Sequence, residues 1–135
     1  MNAFEHAVEK IRGLGFSMTN VAVPFRDPAS GLNDIAADRK AIAGRTFKDI
    51  DVLLLPTTAT TVPTIKEAGT DPQALSAENT VFANYYGLPA ISVPCGFDKN
   101  GLPLGLQIVA KPWDEASVLH LAYRYDKLNR SELET

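Results

Sequence analysis

The sequence predicts a layered α/β/α fold built on a mixed β-sheet. Three observations predict it. Stretches with helical periodicity alternate with short apolar runs that read as strands. Two of those runs flank Asn100-Gly101, the strongest hairpin dipeptide, which puts antiparallel neighbours into the sheet. The 135 residues are 45% hydrophobic and 21% charged, enough for one sizeable core. The chain is therefore read as one domain over 1–135, interrupted by a long Thr/Pro-rich loop over 56–75.

The elements follow in order. In "NAFEHAVEKIRGLG", Phe4, Ala7, Val8, Ile11 and Leu14 recur at helical spacing. Asn2 and Glu5 have the spacing of a capping box, and Gly13 or Gly15 ends the helix in a left-handed conformation. "FSMTNVAVP" reads as a strand stopped by Pro24, and "FRDPASGLN" as a loop. A second helix is predicted from Asp34 to about Phe47, with Ile35, Ile42, Ala43 and Phe47 as its buried stripe. "DVLLLP" is too short for a helix and apolar on both faces, as in a strand covered by helices on each side.

"TTATTVPTIKEAGTDPQAL" then reads as a structureless loop, either functional or a plain surface excursion. Ser76 is placed to cap a helix that runs to Tyr86, and Gly87 ends it. "PAISVPCG" is a buried strand, "FDKNGLP" a turn and "LGLQIVA" the returning strand. The last helix is "WDEASVLHLAYRYDKLN", with Asp114 at its N-cap and Val118, Leu121, Ala122 and Tyr125 as its core stripe. "RSELET" is a polar tail or a last helical turn.

Charge and composition exclude several classes. A net charge of -3 with both signs scattered gives no basic patch for nucleic acid or an anionic membrane. One cysteine cannot form an internal disulfide, and two histidines with it are too few for a standard zinc site. No GxxxxGK or GxGxxG loop is present. No transmembrane-length apolar run or secretory leader is seen, so a cytoplasmic protein without a cofactor is expected.

Three stretches carry more than fold class: "DVLLLPTTAT" (51–60), "NTVFANYYGLPAISVPCGF" (79–97) and "GLPLGLQIVAKPWDEASVLHLAYRYD" (101–126). In this order they resemble the C-terminal portion of the amidase signature family. "AFEHAVEKIRGLGFSMTNVAVP" resembles, more loosely, an earlier helix-strand unit of the same family. The resemblance implies a partial amidase-signature-type fold and hydrolysis or transfer of carboxamides. It also implies a serine nucleophile, a second serine with a cis peptide bond, and a lysine base, because a neutral hydroxyl attacks poorly until a base takes its proton. A Gly/Ser-rich loop would supply the oxyanion hole.

That machinery is not in this sequence. The serines are Ser17, Ser30, Ser76, Ser92, Ser117 and Ser131, no two adjacent and none in a Gly-rich loop. No catalytic residue is therefore assigned. The family's signature region is expected to lie N-terminal to the part matched here. The link from Pro24 to Asp51 is also shorter than the family's helical segment at that place. The family's glutamine-using transferase branch places an acidic residue where Ala77 stands, beside Glu78, which argues against that branch.

The candidate substrate-pocket residues are Thr57, Thr58, Thr80 and Val81. Thr57 and Thr58 follow a strand at its C-terminal edge, where ligands of open α/β sheets sit, though simple turn chemistry is the slightly preferred reading. Thr80 and Val81 are candidates because the resemblance places their helix beside the acyl side of the site. Asn84, Gly87, Pro89, Pro94 and Gly96 read as architecture: an amide that ties its helix to a neighbouring loop, a sharp helix exit and a fixed strand course. Cys95 is either a thiolate nucleophile or a small buried hydrophobe, and the second reading is preferred. His120 lies between Leu119 and Leu121 on a helix and carries no catalytic signal.

The partner implied is a small-molecule amide in the parent enzyme. The strands read as interior ones, so an open edge or apolar face is expected. That predicts self-association or a partner chain carrying the catalytic half. A non-catalytic α/β module that binds a partner is the rival reading.

Overall fold

The computed structural model describes residues 2–23, 34–72, 74 and 76–133. Three strands form one sheet in the order β1-β3-β2. They are β1 (Val52–Pro56), β2 (Ala90–Phe97) and β3 (Pro103–Ala110). Both ladders are antiparallel, with Leu54 and Ile91 each opposite Ile108 on the central strand. The expected mixed sheet is not formed among the described residues. The candidate for a further strand, Phe16–Val23, joins no ladder, and β-formers become a strand only where a partner is in register. Along β1 the side chains alternate, so that Leu53 and Leu55 face one way and Val52 and Leu54 the other.

One face is covered by α1 (Ala3–Gly13) and α5 (Glu115–Leu133). Ala7 and Ile11 meet Val118, Leu121, Ala122 and Tyr125 over Val93, Leu106, Ile108 and Ala110. The α1 capping box forms as predicted: Glu5 N–H donates to Asn2 Oδ1 at 2.8 Å and Asn2 N–H to Glu5 Oε2 at 3.0 Å. Gly15, at φ 102°, takes the left-handed position after the helix. Asp114 caps α5 by accepting from the Ser117 N–H at 3.3 Å and the Ser117 hydroxyl at 2.7 Å. Helix α5 continues to Leu133, through the first part of "RSELET".

The opposite face is only partly covered. Helices α2 (Ile35–Arg45) and α4 (Val81–Tyr86) pack there. Ile42 and Phe47 join Phe82, Ala83 and Leu88 over Leu53, Leu55 and Val109. Of the stripe predicted for α2, Ile42 and Phe47 are buried, whereas Ile35 and Ala43 are exposed. The eleven-residue helix meets the core through a single turn, so only part of the predicted stripe is used. On β2 the same-face residues Ala90, Ser92 and Pro94 are exposed. Among the described residues β1 and β2, read from sequence as interior strands, leave the open edges that the sequence also predicts, and β3 is the interior strand.

Two loop expectations change, and the hairpin turn forms where expected. The 56–75 stretch contains a short helix, α3 (Ile65–Thr70), begun by a Thr64–Glu67 capping box. Helix α4 begins at Val81 rather than after Ser76, because the preceding turn closes on Ala77, whose carbonyl accepts from both Thr80 and Val81 N–H. The hairpin turn is organised by Asp98, whose Oδ1 accepts from Asn100 N–H at 2.8 Å and Leu102 N–H at 3.0 Å. Gly101 has φ 79° and Asn100 does not, so Asn-Gly sits inside the wider turn read from "FDKNGLP". The predicted loop "FRDPASGLN" lies outside the described residues.

Candidate functional site

The partly covered face carries a polar strip where β1 ends. Thr57 leaves β1 with its N–H donating to Gly105 O at 3.0 Å, which continues the ladder by one residue. Its hydroxyl lies 2.5 Å from Ser92 Oγ on β2. The two hydroxyls therefore meet across the central strand, directly above Gly105. A Cβ at Gly105 would stand 2.6 Å from Ser92 Oγ and 2.8 Å from Thr57 Oγ1. Glycine is required there by space, not by backbone conformation.

Gln107 extends the strip. It lies opposite both Leu55 and Ser92 and is a polar residue buried in the core, 4% exposed. Its Nε2 donates to Asn79 O at 2.7 Å, and Asn79 Nδ2 donates to Pro56 O at 3.0 Å. These two bonds tie the segment before α4 to the end of β1. Buried polar groups must find partners, and these two bonds satisfy four at once. Thr57 and Thr80 are thereby brought to one end of the sheet.

The candidate residues fare differently. Thr57 is half-buried in the strip. Thr58 is exposed, and its hydroxyl donates to Thr60 O at 2.9 Å, a local turn contact. Thr80 stands at the N-cap of α4, and its hydroxyl donates back to Ala77 O at 3.1 Å. Val81 is half-buried on the first turn. No hydrogen bond joins Thr58, Thr80 or Val81 to the Thr57–Ser92 pair among the described residues. Sequence reasoning missed Ser92, Gly105, Gln107 and Asn79. An isolated glycine and a lone glutamine inside an apolar strand were the available signals.

The architectural residues are placed as follows. Gly87 ends α4 at φ 68°. The Asn84 side chain makes no tie to a loop among the described residues. Its carbonyl does the tying instead, accepting from Arg39 Nη2 at 3.0 Å. Pro89 O accepts from Ala110 N–H at 3.1 Å, setting the start of β2. Between Pro94 and Gly96 the register slips by one residue, a β-bulge with Gly96 at φ 135°. A Cβ at Gly96 would meet Ala3 Cβ at 3.1 Å, so the bulge fits closely under α1. Cys95, the residue inside the bulge, packs against the α1–α5 core. Burial raises its thiol above the ordinary range, which disfavours the thiolate.

Neither hydroxyl of the strip bonds lysine or histidine among the described residues. One hydroxyl donates to the other, which leaves one O–H and further lone pairs for other partners. Among the described residues no group of three or more His, Cys, Asp or Glu is placed to hold a metal ion. No helix among them is long and apolar enough to cross a membrane.

This sheet, with its two edge strands and its polar strip, is part of an amidase-signature fold. The family described as Amidase matches residues 32–119, and the chain belongs to it. A glutamyl-tRNA(Gln) amidotransferase subunit of Brevibacillus brevis is 52% identical over 83 residues, covering 60% of this chain and 17% of that protein. Fatty acid amide hydrolase of Medicago truncatula is 45% identical over 94 residues, covering 61% of this chain and 15% of that protein. Among solved structures, 6-aminohexanoate cyclic dimer hydrolase complexed with substrate matches with a TM-score of 0.55 and 28% identity, over 69% of this chain and 22% of that one. The glutamyl-tRNA(Gln) amidotransferase subunit from Thermotoga maritima matches with a TM-score of 0.55 and 34% identity, over 65% of this chain and 20% of that one. The chain thus spans 15% to 18% of the length of these and similar curated relatives.

Proposed function

We propose that this chain supplies the scaffold and substrate-pocket wall of an amidase that hydrolyses carboxamide C–N bonds. The catalytic serines and lysine would lie outside this stretch, in the parent enzyme or on a partner chain as in a split enzyme. The observation that carries the reading is the Thr57–Ser92 hydroxyl pair on the partly covered face, at the end of β1 beside Asn79 and Thr80. A carboxamide both accepts and donates hydrogen bonds, and a hydroxyl pair answers both needs. Thr80 and Val81 form the adjacent wall in this reading, with Thr58 at its rim. No cofactor is called for, because acyl transfer to a serine needs none.

The rival reading, a non-catalytic module that binds a partner, is favoured by one observation. The outer edges of β1 and β2 pair with no strand among the described residues, and such edges recruit other chains.

Labelling of the purified chain with a fluorophosphonate, read by intact and peptide mass spectrometry, tests the proposal. No adduct is expected on the chain alone. A stoichiometric adduct on one serine would overturn it. Sedimentation at high concentration tests the edges: self-association is expected, and a monodisperse monomer would count against an exposed interface.

A further inference from the structure

We infer that Arg39 is the positioning residue of the pocket wall, acting as a removable cap on α4 from the neighbouring helix α2. The inference rests on the reading of Thr80 and Val81 as that wall. Helix α4 has six residues, far too few to be stable alone. Its last carbonyls lie past the helical ladder, and Asn84 O accepts a 3.4 Å bond from the capping Gly87 N–H. Arg39 adds side-chain donors. Its Nε donates to Tyr85 O at 2.8 Å and its Nη2 to Asn84 O at 3.0 Å. A cation at a helix C-terminus also opposes the negative end of the helix dipole.

The guanidinium lies alongside Gly87, where a Cβ would make ordinary van der Waals contact with Arg39 Cζ at 3.4 Å and Arg39 Nε at 3.5 Å, and the φ of 68° is what favours glycine. The adjacent Asp38 adds a second grip, its Oδ2 accepting from the Tyr85 hydroxyl at 2.5 Å. Below both, Ile42 of α2 packs in one cluster with Phe82 and Ala83 of α4. At its other end α4 is anchored through Asn79 to Pro56 and Gln107. Six residues rising about 1.5 Å each make a rod of about 9 Å between the two anchors. Thr80 and Val81 sit at one end of that rod and the guanidinium at the other. With Asn79 holding one end, loss of the Arg39 bonds lets the rod swing about that anchor, which reorients Thr80 and Val81. Lysine cannot replace the fork, since a single ammonium has no fixed pair of donors.

Hydrogen exchange of the full chain, resolved by NMR, tests this with Arg39→Ala and Arg39→Lys. Arg39→Ala is expected to speed exchange about tenfold at Gly87, Leu88, Thr80 and Val81, while the β3 amides stay unchanged. Arg39→Lys should restore less than half of that protection, and added ethylguanidinium should restore protection to Arg39→Ala. Unchanged exchange at Thr80 and Val81, or equal loss across β3, would overturn the inference. A separate titration of the unaltered chain with benzamide tests the wall itself. Shifts at Thr80 and Val81 support it, and their absence overturns the wall reading while leaving the Arg39 exchange result intact.

Discussion

Adding one methyl group at Gly105 should destabilise the chain by about 1–3 kcal/mol, and the origin of that figure is local. The new Cβ would stand 2.6 Å from Ser92 Oγ, 2.8 Å from Thr57 Oγ1 and 3.3 Å from Thr57 Cβ. Overpacking of this kind costs about 1–3 kcal/mol. Separating the two hydroxyls loses a further hydrogen bond of about 1 kcal/mol. Against this, alanine in a strand interior is favoured over glycine by about 0.5–1 kcal/mol, because the unfolded chain is less free. Urea denaturation of Gly105→Ala is the assay, with a lower midpoint expected at unchanged slope. Ser92→Ala removes the nearer oxygen, so Gly105→Ala in that background should lose about half as much. A Gly105→Ala variant within about 0.5 kcal/mol of the parent would refute the reasoning. So would an equal loss with and without Ser92.

Two further outcomes are expected. Alkylation of Cys95 by iodoacetamide should accelerate only above the ordinary thiol range, since burial raises its pKa. A thiol raised by folding keeps its proton where the unfolded thiol has lost it. Its contribution to stability is whole below the unfolded value and declines as pH rises through the folded one. Ordinary free-thiol reactivity near neutral pH would contradict the packing of Cys95. Gln107→Leu should cost about 1–3 kcal/mol in urea denaturation, because Asn79 O loses the amide that donates to it. A neutral Gln107→Leu would show that the link between β3 and the segment before α4 is dispensable.

The parts of this fold legible in sequence are those set by neighbours in the chain. The Asn2–Glu5 capping box, the Asp114 cap and the α5 stripe each depend on residues within a few turns. The two strands around the hairpin and the apolar run of β1 are likewise readable, because alternation and turn residues are local signals. The parts that failed depend on absent or distant partners. Phe16–Val23 has strand composition but pairs with no strand among the described residues. Ile35 has the period of a buried face, yet α2 presents only one turn to the core, and Ile35 is 44% exposed. Asn84 is expected from sequence to act through its amide, and Arg39 uses its carbonyl instead.

The same division runs through the candidate site. The sequence by itself determined the three ordered family stretches, the absence of adjacent serines and the identity of Thr57 as a strand-end threonine. Only the tertiary structure decided that Thr57 meets Ser92, 35 positions away, over Gly105. It alone set Arg39 against Gly87 and Gln107 beneath Asn79. The reason is register. Which side chains share a face above the central strand depends on how β1 and β2 align along β3, and a slip of one residue turns each set to the other side.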